Sequence, residues 1–180
     1  MNKWILHFTL MALALTATAR VAADSATEID AKADATLAAF KRDIGGGEAY
    51  LDAAKGALIF PGIVKGGFVF CGEYGEGALR IDGKTVDYYS TAGASFGFQF
   101  GVQEKSMVVL FMQQAALDKF RASPGFEVGV DGNVALVNKG TGGSVNTTNI
   151  KDPVVAFVFG NKGLMVDVSL DGSKFTKLDK

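Results

Sequence analysis

Ala57-Leu58-Ile59-Phe60-Pro61-Gly62-Ile63-Val64-Lys65-Gly66-Gly67-Phe68-Val69-Phe70-Cys71-Gly72 is the stretch where the periodicity of the chain changes. Before it, apolar residues recur every three or four positions. From Ala57 onward the period is two, as in strands that bury one face. Glycines run among β-branched and aromatic residues, as a barrel or strongly curved sheet requires. The predicted strands are Ala57–Phe60, Gly66–Gly72, Gly77–Ile81, Thr85–Tyr89, Ala94–Gln103, Lys105–Met112, Phe126–Asp131, Asn133–Asn138, Val154–Gly160, Gly163–Leu170 and Lys174–Leu178. Asp82-Gly83, Asp131-Gly132 and Asp171-Gly172 read as hairpin turns, because a type I′ turn needs positive φ at both central residues. Asn161-Lys162-Gly163 reads as a fourth.

Upstream the pattern is helical. Ile29, Ala33, Leu37, Phe40 and Ile44 share one helix face. Ser25 and Glu28 have capping-box spacing, and Gly45-Gly46-Gly47 ends the helix. A short second helix is predicted over Glu48–Ala54. A third, Gln113–Ala122, interrupts the strands and stops at Ser123-Pro124-Gly125. Lys139–Asp152 is rich in Gly, Thr and Asn and reads as a long loop. The fold class is therefore mainly β (α+β): a glycine-rich curved antiparallel sheet or barrel-like core, an N-terminal amphipathic helical segment and one inserted helix.

The start of the chain reads as a secretory signal peptide over residues 1–23. Lys3 gives the positive n-region, Trp4 to about Ala17 the apolar stretch, and Val21-Ala22-Ala23 a cleavage site. The apolar run is short for a membrane span. Residues 24–50 then form the helical segment and 51–180 the β domain, exported to the periplasm or outside the cell. No cysteine follows the cleavage site to carry a lipid anchor. Cleavage removes Lys3 and Arg20 and no acid, taking the formal charge from −1 to −3. It also removes Trp4 and His7, the one tryptophan and the one histidine of the chain.

Chemistry is thereby narrowed. Without imidazole there is no Ser-His-Asp or Cys-His catalysis and no histidine-based metal centre. One cysteine makes neither an internal disulfide nor a Cys₄ site, and Cys71 in its apolar run reads as a buried small hydrophobe. Gly72-Glu73-Tyr74-Gly75-Glu76-Gly77 lacks the spacing and the following helix of a phosphate loop. Glu73 and Glu76 fall on opposite faces of a strand and read as solvated or turn-stabilising carboxylates. Near-neutral charge without basic runs argues against nucleic acid. The expectation is a non-enzyme with no cofactor and no metal.

Phe96, Phe98 and Phe100 point to one strand face, as sheet core or as an apolar cavity or membrane patch; Phe157 and Phe159 pose the same choice. The helix Asp24–Asp43 carries Lys32, Lys41 and Arg42 against five acids, a net of −2. That balance suits a helix packed on the sheet better than one seeking anionic lipid.

Ala54-Lys55-Gly56-Ala57-Leu58-Ile59-Phe60-Pro61 resembles the opening motif of the SYLF (DUF500-type) lipid-binding domain family. Ile63 through Phe68 and Gly72 through Gly77 resemble its most distinctive block. Ser95–Gln99, Val109–Met112, Leu117–Phe120, Asn161–Leu164 and Val168–Gly172 are similar to further segments, so the resemblance spans about Leu51 to Phe175 of an exported bacterial-type member. It implies a glycine-rich β domain, phospholipid binding (phosphoinositides in some members) and no catalytic residues. Some members bind actin, which export argues against here. Lys55 and Lys65 match motif lysines. With Lys41 and Arg42 at the end of the first helix, and Leu37 and Phe40 on its apolar face, they are the candidate lipid-binding residues. The alternative is an envelope structural or interaction protein that binds a protein partner through its loop or aromatic face.

Overall fold

The computed structural model describes residues 24–67, 70–96, 102–138, 151–162, 170 and 172–180. The signal-peptide stretch, Phe98, Phe100, most of the Lys139–Asp152 loop, Asp171 and nearly all of the predicted strand Gly163–Leu170 lie outside them, as do the side chains of Cys71 and Phe96.

Three helices and eight strands are described: α1 Ala26–Asp43, α2 Gly47–Ala53, β1 Gly56–Gly67, β2 Phe70–Ile81, β3 Lys84–Phe96, β4 Val102–Phe111, α3 Gln114–Ala122, β5 Gly125–Glu127, β6 Ala135–Asn138, β7 Val154–Lys162 and β8 Lys174–Leu178. The strands form one curled half-barrel sheet in the order β5-β8-β3-β2-β1-β4-β7-β6. This is the mainly β, α+β fold read from the sequence.

The strands are longer than the periodicity predicts. β1 passes through Pro61-Gly62 without ending, because the register shift there absorbs the proline. β2 likewise continues through Gly72–Gly77, and β3 joins two predicted strands. Asp82 (φ 51°) and Gly83 (φ 75°) make the expected tight turn between β2 and β3. Asp131-Gly132 joins no hairpin: β5 pairs with β8, while β6 pairs parallel to β7. That parallel pair is the exception to the antiparallel sheet. Asn161 and Lys162 are strand rather than turn, since β7 stays paired with β4 as far as Glu104 and Lys162.

Alternation divides the core in two. Leu58, Phe60, Met107, Val109, Phe111, Ala156 and Val158 face the side covered by α3, where Leu117 and Phe120 complete the cluster. Ile59, Val108, Leu110, Val155, Phe157 and Phe159 face the side covered by α1 and α2. Phe157 and Phe159 are therefore core. Ser25 caps α1 with the reciprocal bonds of a capping box to Glu28. Ile29, Ala33, Phe40 and Ile44 are buried under α1, with Leu37 at the margin. The amphipathic helix thus packs on the sheet.

Candidate functional site

The bulge at Pro61-Gly62 changes the phase of β1. Before it, even-numbered residues face α3; after it, Ile63 and Lys65 do, and Val64 faces the other way. Lys65 is only 7% exposed. Its register neighbours are Glu73 on β2 and Gln103 on β4, both on the same sheet face. Lys105, two residues along β4, is 2% exposed and donates to Glu73 Oε2 at 2.8 Å. Ser173 donates to Glu73 Oε1 at 3.4 Å. Glu73 lies over Gly93, where a Cβ would meet its Cγ at 3.2 Å. A polar layer thus crosses the sheet face at the end of the strands away from α3.

Among the described residues, the layer holds two lysines and one carboxylate. Glu73 is engaged by Lys105, whereas no hydrogen bond or ion pair among the described residues holds the Lys65 ammonium. One step inward on β3, the Thr91 hydroxyl is buried without a partner, and so is that of Tyr89. Burial pushes the Tyr89 phenol up to about 12, with the nearby Asp87 charge adding to the effect.

On the opposite face, Glu76 is also buried, its side chain 7% exposed. It accepts from Tyr74 at 2.8 Å and from Lys180 Nζ at 2.6 Å. Lys180 also donates to the Asp24 carbonyl, tying the chain's last residue to the start of α1. The two glutamates therefore do lie on opposite faces, but the solvated reading is corrected: each is paired with a lysine inside the fold. Beside Glu76 is a cleft of about 770 Å³ between the first half of α1 and the outer parts of β1 and β2. Ile29, Ala35, Pro61, Val64 and Tyr74 supply much of its wall. Val64 and Tyr74 are register partners, 49% and 41% exposed; Val102, paired with Gly66, is 70% exposed. These three side chains form an apolar strip on adjoining strands.

The candidates read from the sequence are dispersed. Lys41 is exposed and pairs with Glu48 at 3.4 Å; Arg42 is exposed and pairs with Asp43. The Asp43 carboxylate beside Arg42 raises the guanidinium further, so it stays charged. Lys55 is exposed just before β1, about 30 Å of extended strand from Lys65. Phe40 is wholly buried against Phe157 and Phe159, with ring centroids at 5.1 and 5.7 Å, and Leu37 is half-buried. Sequence reasoning missed Lys105 and Gln103. Their signal was the alternation Gln103, Lys105, Met107, Val109, Phe111, which puts them in line with the core.

Among the described residues, no group of three or more His, Cys, Asp or Glu could hold a metal ion, and no helix is long and apolar enough to cross a membrane. The fold and layer define a half-barrel with a helical cover on each face and a polar interior at one end. Residues 92–180 match the family model described as Ysc84, Las17-binding protein actin regulator. The chain belongs to this family, the SYLF family that its motifs resemble. No curated protein matches it.

Proposed function

We propose that this is an exported, non-catalytic phospholipid-binding protein that acts at the cell envelope. The family match supports a lipid- or actin-related binding role. The signal-peptide pattern of residues 1–23 favours the lipid branch of that pair. The structural observation that carries the reading is the strip of Val64, Tyr74 and Val102 beside the apolar cleft. Contiguous exposed apolar side chains mark an interaction surface. A tyrosine with its hydroxyl engaged and its ring in solvent suits the boundary between headgroups and acyl chains.

In this reading the strip and cleft meet the apolar part of the lipid. Lys41, Arg42 and Lys55 add a weaker contact to anionic headgroups. Phe40 and Leu37 stay in or beside the core, because inserting them would undock α1.

The test is flotation of the mature protein with vesicles of phosphatidylcholine or phosphatidylglycerol at low and high salt. Flotation in both lipids that persists in high salt is expected, since apolar contact is not screened. Val64→Glu with Val102→Glu should abolish it in a protein that still folds. Replacing Lys41, Arg42 and Lys55 by Gln should remove only a salt-sensitive increment on phosphatidylglycerol. Absence of flotation with either lipid overturns the reading and favours a protein partner. Export is checked separately by intact mass: the mature protein should lack residues 1–23 and show no tryptophan emission.

A further inference from the structure

We propose that the cleft beside the first half of α1 takes up a single alkyl chain of a lipid, so that the protein holds one lipid monomer with its headgroup left in water. The inference rests on the lipid reading above and deepens it: a chain leaves the bilayer and lies inside the fold, where the exposed strip alone would only rest on a surface.

Glycine makes the floor of the cleft. Gly66 of β1 and Gly72 of β2 are register partners, and both line it. They stand two residues from Val64 and Tyr74, on the same face of the sheet. Other glycines of β2 have a packing reason. A Cβ on Gly75 would lie 2.9 Å from the Gly62 carbonyl oxygen, and one on Gly77 would overlap that of Ile59. Gly66 and Gly72 have no such reason. Among the described residues, nothing lies within 4 Å of a Cβ added to Gly72, and the nearest atom to one on Gly66 is Val102 Cγ2 at 3.9 Å. Glycine inside a strand weakens it and often marks a place where a ligand approaches the backbone. Here a cross-strand pair of glycines leaves a trough where two ordinary side chains would stand.

Shape and polarity name the occupant. The lining runs from Pro61 to Gly66 along β1, about 15 Å of strand, and from Asp24 to Thr36 on the helical side. A volume of about 770 Å³ falls within the range of about 300–1,000 Å³ usual for sites that take small organic ligands. An elongated space of this size, walled by Ile29, Ala35, Val64 and Tyr74, suits a flexible chain. The carboxylates around it already have partners. Glu76 accepts from Tyr74 and Lys180, Asp24 pairs with Lys32 at 2.6 Å, Glu73 pairs with Lys105, and Glu104 has an interaction of its own. The cleft thus asks for no counter-ion, and the group it buries best is uncharged. Val64, Tyr74 and Val102 lead into it from solvent, an apolar path for a chain leaving a bilayer.

The probe is lysophosphatidylcholine, a lipid with one chain, used below the concentration at which it forms micelles. Binding to the mature protein is followed by native mass spectrometry and calorimetry. Saturable binding of one molecule per protein chain is expected. Each methylene added to the acyl chain should tighten it about fourfold, the size of burying one CH₂. Changing the head to lysophosphatidylglycerol should matter less than one methylene, because a head in water is screened. Gly72→Leu fills the trough from the floor and Ala35→Leu from the helix. Each should weaken binding about tenfold or more, the size of overpacking a site. Both positions are exposed, so both variants should melt within a few degrees of wild type. Ala38→Leu, exposed on α1 but outside the cleft, should bind as wild type does.

Three results would overturn the proposal: no binding below the micelle concentration, adducts that accumulate without saturating, or unchanged binding in both filled variants. Vesicle flotation keeps this failure apart from failure of surface contact. Gly72→Leu should still float with phosphatidylcholine, because it adds apolar surface beside the strip. A wild type that floats but does not bind lysophosphatidylcholine overturns chain uptake and leaves the surface contact standing. One that binds lysophosphatidylcholine but does not float overturns the surface contact and leaves chain uptake standing.

Discussion

Gly77 shows how closely β1 and β2 approach. A Cβ at this position would lie 2.2 Å from the Ile59 carbonyl oxygen and 2.7 Å from Phe60 Cδ1. The first neighbour is backbone and cannot rotate away, so Gly77→Ala forces the strands apart at the bulge. We expect a loss of about 3 kcal/mol or more, the upper range for overpacking, measured by urea unfolding. Gly72→Ala is the control, since nothing lies within 4 Å of its added Cβ. That variant should unfold within about 0.5 kcal/mol of wild type. Equal effects at the two positions would refute the close approach. The glycine richness was visible in the sequence, but which glycine is indispensable depends on where the neighbouring carbonyl falls.

At the scale of the element, α1 was legible almost completely. Ser25 and Glu28 make the predicted cap, and four of the five residues assigned to its apolar face are buried. The rotation differs slightly: Thr36 is buried and Leu37 is marginal, because Phe40 seats between Phe157 and Phe159 and sets the angle of the helix. What the periodicity could not show is the polar seam beside that face. Arg80 of β2 donates to Asp34, and Thr85 and Tyr88 of β3 donate to Asp30 at 2.7 and 2.9 Å. The acids that make α1 a poor match for anionic lipid are thus, in part, its attachment to the sheet. Phe40→Ala should cost about 3–5 kcal/mol. Leu37→Ala should cost clearly less, as its side chain is only partly removed from water. Thermal unfolding decides, and a neutral Phe40→Ala would mean that α1 is not docked in solution.

For the whole molecule, the four tyrosines report the integrity of the fold. All four phenols are raised above their ordinary value of 10: Tyr74 and Tyr89 to about 12, Tyr50 and Tyr88 in the same direction. Burial is the main cause each time. Glu76 beside Tyr74, Asp30 beside Tyr88, Asp152 near Tyr50 and Asp87 near Tyr89 add to it. The fold therefore favours the neutral phenols. Their contribution to stability is complete below about pH 10 and is lost as pH rises through the folded values toward 12. Tyrosinate absorbance at pH 10 should be smaller in the folded protein than in a denatured sample, which is half ionised. A folded protein titrating with a midpoint near 10 would contradict the packing.

The local signals were enough for the mainly β class, the three helices and the Asp82-Gly83 turn, because periodicity, capping and turn chemistry act over a few residues; the SYLF family was legible only through the resemblance of its motifs. They could not supply strand continuity through Pro61-Gly62, the return of β8 to pair with β3, or the parallel pairing of β6 with β7. Those pairings depend on contacts between residues far apart in the chain. Lys65 is the clearest case. Its strand assignment was readable, but its face was not: a bulge between Phe60 and Ile63 reverses the alternation and turns the lysine inward. The motif lysine is in the sequence; tertiary structure decides that it is a buried cation beside Glu73 and Lys105, because only strand pairing fixes the phase on which a two-residue period is read.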